Sequence, residues 1–227
     1  MHGTVRRSCR KCILFGLKRD LRIYDHEALA QAAKRGPVLP LYILEPDLWN
    51  QSDMSYRHYL FLQDCLSELS QDLEEIGQQL VIKVGNAVNI LEVIGKYHTI
   101  EGLWSHQETW NGWIYERDTA VKRWCKSLNV SWHEPPQNAV VRGLDDRNGW
   151  SARWHHQMTM PFIDRPLNLK TVKGIPIDAL PSYDELNLRQ DISSEIQKGG
   201  RIEGLKVLNS FLYARGEKSI RKRYHHL

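Results

Sequence analysis

Two stretches of this 227-residue chain carry the residue types that do chemistry. The first, "GLKRDLRIYD", sets Asp20 between Arg19 and Arg22. A carboxylate flanked by guanidiniums can hold both in fixed geometry through charge-assisted hydrogen bonds, and a helix N-terminus just beyond favours an anion. The same three residues can instead pair with one another and with neighbouring loops as scaffolding, and spacing alone favours that use. The second stretch, "SHQETWNGWIYERD", combines His106, Gln107, Glu108 and Asn111 with Trp110 and Trp113. Aromatic faces beside a few hydrogen-bonding groups suit a flat heterocycle. Equally, the tryptophans can belong to the core and the polar groups can cap a helix.

Other groups are weaker candidates. His155 and His156 are adjacent, so on a helix they point about 100° apart and do not chelate together. Cys9 and Cys12 form a C-x-x-C with no second pair at zinc-ribbon spacing. With Cys65 and Cys125, which fall on apolar helix faces, they read as small buried thiols. The chain carries neither G-x-G-x-x-G nor a P-loop lysine motif, and no Ser-His-Asp set or carboxylate pair can be placed.

The elements that position these groups alternate. Strands are expected at 12–16, 38–45, 80–85, 102–106 and 130–134. Between them lie helices at 25–34, with Asp25 as N-cap, at 55–76, at 86–97 with Asn86 near its cap, and at 113–128. In the second helix Leu62, Cys65, Leu66, Leu69, Leu73 and Ile76 repeat every three to four residues, an apolar stripe that lies on a sheet. The inner face of the fourth is expected to hold Tyr115, Val121, Trp124, Cys125 and Leu128. Such alternation implies right-handed crossovers and a five-stranded parallel sheet with helices on both faces, a Rossmann-like α/β fold. Ligands of such sheets bind beyond the carboxyl ends of the strands, where both stretches fall.

After Pro135-Pro136 the pattern changes. A helix is expected at 148–160, then a proline-bearing linker to about residue 198. A last helix follows Gly199-Gly200, with Leu205, Leu208, Phe211 and Leu212 on one face. This divides the chain into a basic extension (1–11), an α/β domain (12–138), a helix and interdomain linker (139–198), and the start of a truncated helical domain (199–227).

The composition is that of a soluble globular protein, 41% hydrophobic and 26% charged. No apolar run approaches the roughly 20 residues of a membrane span, and a cytoplasmic location is expected. The formal charge of +4 conceals basic ends around a body, residues 12–197, with 19 basic and 25 acidic side chains. A basic end can meet nucleic acid, and it is also what an ordinary solvated helix looks like.

The ordered set of segments resembles the photolyase/cryptochrome family. "ILFGLKRDLRIYDHEAL" is similar to that family's opening strand and its R-D-L-R-x-x-D-x-x-A-L signature. "PVLPLYILEP", "YERDTAVKRW", "IPIDALPSYDELNL" and "GGRIEGLKVLNSFLYARGE" resemble the second strand, a later helix, the interdomain connection and the first helix of the C-terminal domain. The resemblance implies an antenna-type domain, with a folate, a deazaflavin or FMN as chromophore. It also implies FAD in a helical domain that lies downstream or in a separate chain, and damaged DNA as the full-length partner. Blue light then drives pyrimidine-dimer repair, a carbon–carbon lyase activity, or signalling. By the resemblance, Arg57, Glu108 and Asn111 are candidate antenna contacts, while Arg19, Asp20 and Arg22 keep a structural role. This chain departs from the family's pattern at Leu17 and Lys18, at Ser52 where folate binders have histidine, and at Ser219 where a flavin-phosphate tyrosine is expected. The alternative is a small nucleotide-binding Rossmann-like module with no link to light.

Overall fold

The structure is a computed structural model that describes residues 10–144, 146–190 and 196–215. Residues 1–9, with Cys9, and residues 216–227, with Ser219, lie outside the described residues. The order is β1 (Arg10–Leu17), α1 (Glu27–Ala33), β2 (Val38–Leu44), α2 (Pro46–Trp49), α3 (Tyr56–Glu75), β3 (Val81–Val84), α4 (Ala87–Tyr97), β4 (His98–Trp104), α5 (Gly112–Ser127), β5 (Trp132–His133), α6 (Trp150–Met158) and α7 (Arg201–Ser210). A π-helical turn, Phe211–Arg215, follows α7.

The five strands pair in parallel in the order β3-β2-β1-β4-β5. Because successive side chains of a strand face opposite ways, β1 serves both layers. Ile13, Phe15 and Leu17 join a core with α1 and α3, whose Leu62, Leu66, Leu69 and Leu73 are buried. Cys12 and Leu14 join a second core with Leu91 and Ile94 of α4 and Val121 and Trp124 of α5. This is the doubly wound arrangement that the strand–helix alternation implies.

Local signals set most boundaries. The Ser55 side chain accepts from His58 N, and Asn86 accepts from Val88 N and Asn89 N, so both act as N-caps. Two expectations need correction. The cap of α1 is His26, whose Nδ1 accepts from Leu29 N. Asp25 is held in the left-handed region, φ 48°, with its carboxylate accepting from Ile163 N. On α5, Tyr115 and Leu128 are 75% and 56% exposed; the sheet covers a narrower stripe than the sequence suggests.

The proline-rich segment is no free tether. Leu169, Leu186 and Leu188 are buried in the α1–α3 core. Asp178 N donates to Ile82 O, and the Asp178 carboxylate takes Lys83 and Val84 N, so this segment caps the open edge of β3. Tyr59 donates its hydroxyl to Pro181 O. At the end of this run Gly199 passes so close to α3 that a Cβ would stand 2.2 Å from Phe61 O. Gly199 N, Gly200 N and Ile202 N then donate to Asp64, Cys65 and Glu68 of α3.

Candidate functional site

Sequence direction in the sheet reverses between β1 and β4, and a cleft of about 480 Å³ opens beyond the carboxyl ends of β1, β2 and β4. Its apolar lining comes from Tyr42, Leu48, Trp49, Met54, Phe61, Leu62 and Trp110. Gly200 and Arg201 reach its mouth. That volume falls within the 300–1,000 Å³ of small-molecule sites, and the mostly apolar lining with sparse polar groups is their usual chemistry.

A charged network forms the floor. Glu45 Oε1 accepts from Ala87 N and its Oε2 from Arg117 Nη1, 2.8 Å. Arg117 also reaches Glu108 at 3.0 Å and Asp118 at 2.8 Å. Burial works against the Arg117 charge, but Asp118, Glu45 and Glu108 together keep its pKa above the ordinary value. Burial raises the Glu45 pKa, with Arg117 opposing. Lys18 and Arg142 complete the network through Asp118, at 3.0 and 3.5 Å. Loops after β1, β2 and β4 are thus joined by ion pairs shielded from water, where removing one partner is costly.

Asp20 does not hold Arg19 and Arg22, as its position between them suggests. It is 3% exposed, and its Oδ1 accepts from Lys18 N at 2.9 Å. Its Oδ2 lies 2.7 Å from His106 Nδ1 and 2.9 Å from His26 Nε2, the second contact too bent for a regular hydrogen bond. The two imidazoles stack at 4.1 Å. Burial pushes the Asp20 pKa up, but contacts from His106 and His26 overcome it and hold the carboxyl well below its usual range. Burial also lowers the His26 pKa. Ligand atoms of these three residues lie within 4.8 Å of one another, a spacing a metal could bridge. The tautomer argues otherwise: His26 Nδ1 accepts a backbone N–H, which places its proton on Nε2, the atom a metal would need. The cluster is a hydrogen-bonded knot between the first and fourth loops.

Arg19 pairs instead with Glu108 at 2.8 Å and lies over the Trp110 ring at 4.4 Å. Arg22 donates to the carbonyls of Tyr24 and Asp25, both at 3.1 Å. Of the candidate antenna contacts, only Glu108 lines the cleft, together with Trp110. Asn111 caps α5, accepting from Ile114 N, and donates to Asp53. Arg57 is exposed and stands outside the cleft lining. His106 is spent on Asp20, and Gln107 donates to Glu134 O. His155 and His156 sit exposed on α6.

Trp49 and Leu48 were not foreseen, because the short helix α2 was not. The signal was Pro46 directly after a strand ending in Glu45, the N1 position proline favours. Cys125 is buried with its thiol pushed up to about 11 by burial, the state of an inert structural cysteine.

Fold and cleft together define a doubly wound α/β module with a mostly apolar cleft at its switch point. A family model, DNA photolyase, matches residues 13–147, and the chain belongs to that family. Among its relatives is the deoxyribodipyrimidine photo-lyase of Synechococcus sp., 30% identical over 207 residues that cover 82% of this chain and 42% of that protein. A Synechocystis sp. cryptochrome structure superposes with TM-score 0.73 at 18% identity, covering 92% of this chain and 47% of the other. An archaeal photolyase from Sulfolobus tokodaii, solved with two FAD molecules, gives 0.64 at 20%, covering 87% and 46%. The chain spans less than half the length of each of these three. No helix among the described residues is long and apolar enough to cross a membrane.

Proposed function

We propose that this chain is the antenna-type module of a photolyase/cryptochrome-like flavoprotein, and that its cleft takes a flavin-type or deazaflavin-type chromophore. The observation that carries the reading is the 480 Å³ cleft at the strand ends, walled by Trp49, Tyr42, Phe61 and Trp110. Flat aromatic walls bury a tricyclic ring system and leave its polar edge to the few charged groups of the floor. Folate fits less well. Asn111 is committed to a helix cap, Arg57 stands outside the lining, and Ser52 replaces the histidine of the folate pattern.

In this reading the chromophore absorbs light and passes its excitation to an FAD held by helical sequence of the kind that completes the longer relatives. The Sulfolobus protein with its two FAD molecules supports a second flavin in this family. Damaged DNA is the partner of that complete assembly, and the module alone has no repair activity. A cytoplasmic setting goes with this role.

The test is uptake by the purified chain of FMN, a deazaflavin, a reduced folate and ATP, each followed by fluorescence or absorbance. Saturable binding of flavin or deazaflavin, with ATP inert, is the expected result. Uptake of ATP or AMP with flavins, deazaflavins and folates inert would favour a plain nucleotide-binding module and overturn the antenna reading.

A further inference from the structure

Five cationic side chains line the cleft, Lys18, Arg19, Arg22, Arg117 and Arg201, against two carboxylates, Glu45 and Glu108. Three of the five are already engaged. Lys18 is paired with Asp118, Arg19 with Glu108, and Arg117 with Glu45, Glu108 and Asp118. Arg22 and Arg201 are different: among the described residues neither is ion-paired. Arg22 is held only by the Tyr24 and Asp25 carbonyls. Arg201 stacks on the Tyr24 ring at 4.3 Å. Arg165, on the same ring at 5.3 Å, has its own partner in Glu75. Tyr24 therefore carries both of these guanidiniums, one on its backbone carbonyl and one on its ring, and both line the cleft. Two acids of α3 stand near the start of α7. Glu68 is occupied by Ile202 N, and Asp72 faces the same helix start.

We propose that Arg22 and Arg201 form an anion-binding end of the cleft, which takes the phosphate of a phosphorylated flavin-type ligand and, through Arg201, draws α7 onto the cleft mouth. The inference rests on the antenna reading and goes beyond it in naming the ligand's charged end and a coupling to α7. Arginine suits the task, because its planar fork matches phosphate oxygens in pairs. The geometry also joins two parts of the chain. Arg22 belongs to the first loop of the α/β body, whereas Arg201 is the first residue of α7, which buries no residue of its own. A doubly charged group between them makes ligand occupancy and helix docking favour each other.

The experiment compares FMN with riboflavin, which share the ring and differ by the phosphate, on the full chain and on Arg22→Gln and Arg201→Gln. The full chain should prefer FMN by about tenfold or more, a preference that shrinks at high salt. Each variant should lose most of that preference while still binding riboflavin, which also shows that it has folded. FMN, but not riboflavin, should slow amide hydrogen exchange at residues 199–205. Equal affinity for the two flavins in the full chain would overturn this inference and leave the antenna reading standing. So would a preference unchanged in both variants. Failure to bind either flavin would overturn this inference, and failure to bind a deazaflavin as well would overturn the antenna reading.

Discussion

Helices α3 and α7 look alike in sequence and behave differently in the structure. Each carries an apolar stripe at helical spacing. In α3, Leu62, Leu66, Leu69 and Leu73 are buried against the sheet. In α7 and the turn after it, Leu205, Leu208, Phe211 and Leu212 are 38–53% exposed. A stripe shows that a face needs covering and says nothing of what covers it. For α3 the cover is local, since βαβ crossovers lay the helix on the strands it connects. For α7 the attachments seen gather at its start, where the backbone of residues 199–202 is held by Asp64, Cys65 and Glu68 and Arg201 stacks on Tyr24. In the proposed function, helical sequence like that of the longer relatives covers the remainder.

That contrast can be broken by mutation, starting with the largest effect. Leu69→Ala removes a side chain that is 1% exposed and should cost about 2–5 kcal/mol in urea unfolding. A cost below about 1 kcal/mol would mean that the α3 face is not the packed core described here. Next comes acid. Burial depresses the His26 pKa below the ordinary 6.5, so the unfolded chain binds the proton more readily than the folded one. The stability this contributes is fully present above about pH 6.5 and is lost as pH falls through the folded-state value. Asp20, held well below 3.8, adds a second loss as pH falls below about 4. Unfolding midpoints taken from pH 7.5 to 5 should decline, and His26→Asn, which keeps a good cap, should flatten that decline. A variant that follows the parent curve would exclude His26 as the source.

A smaller effect sharpens the account of the fourth loop. Asn111→Ala removes the α5 cap and the link to Asp53, and should cost about 1 kcal/mol. It should leave flavin affinity unchanged, since Asn111 is no part of the cleft; a large fall in affinity would restore it as a ligand contact. Smallest of all, Leu208→Ala, at 48% exposure, should change the stability of the isolated chain by less than about 0.5 kcal/mol.

Much of the fold was legible because it rests on short-range signals. Alternating strand and helix patterns implied the parallel sheet, and Ser55 and Asn86 announced their helices. The site was less legible, because its decisive contacts join residues far apart in the chain. Asp20 sits between two arginines in sequence, yet its partners are His26 and His106, one of them 86 positions away. Arg117 was quoted only as part of longer motifs and never singled out, although it binds carboxylates from the second and fourth loops. Glu108 and Trp110 were singled out and do line the cleft, but nothing in their spacing separated them from Asn111, which turned out to be a cap. Trp49 depended on a four-residue helix too short to leave a periodic signal.

The central claim is that a flavin-type ligand occupies the cleft, and the eight tryptophans give a direct way to test it. Trp49 and Trp110 line the cleft, whereas Trp150 and Trp154 line a separate hollow beside α6. In a proton–nitrogen NMR titration with FMN, the indole signals of Trp49 and Trp110 should shift together and saturate, while those of Trp150 and Trp154 stay in place. Saturating shifts at Trp150 and Trp154 with Trp49 and Trp110 unmoved, or no shift at any indole, would contradict the account.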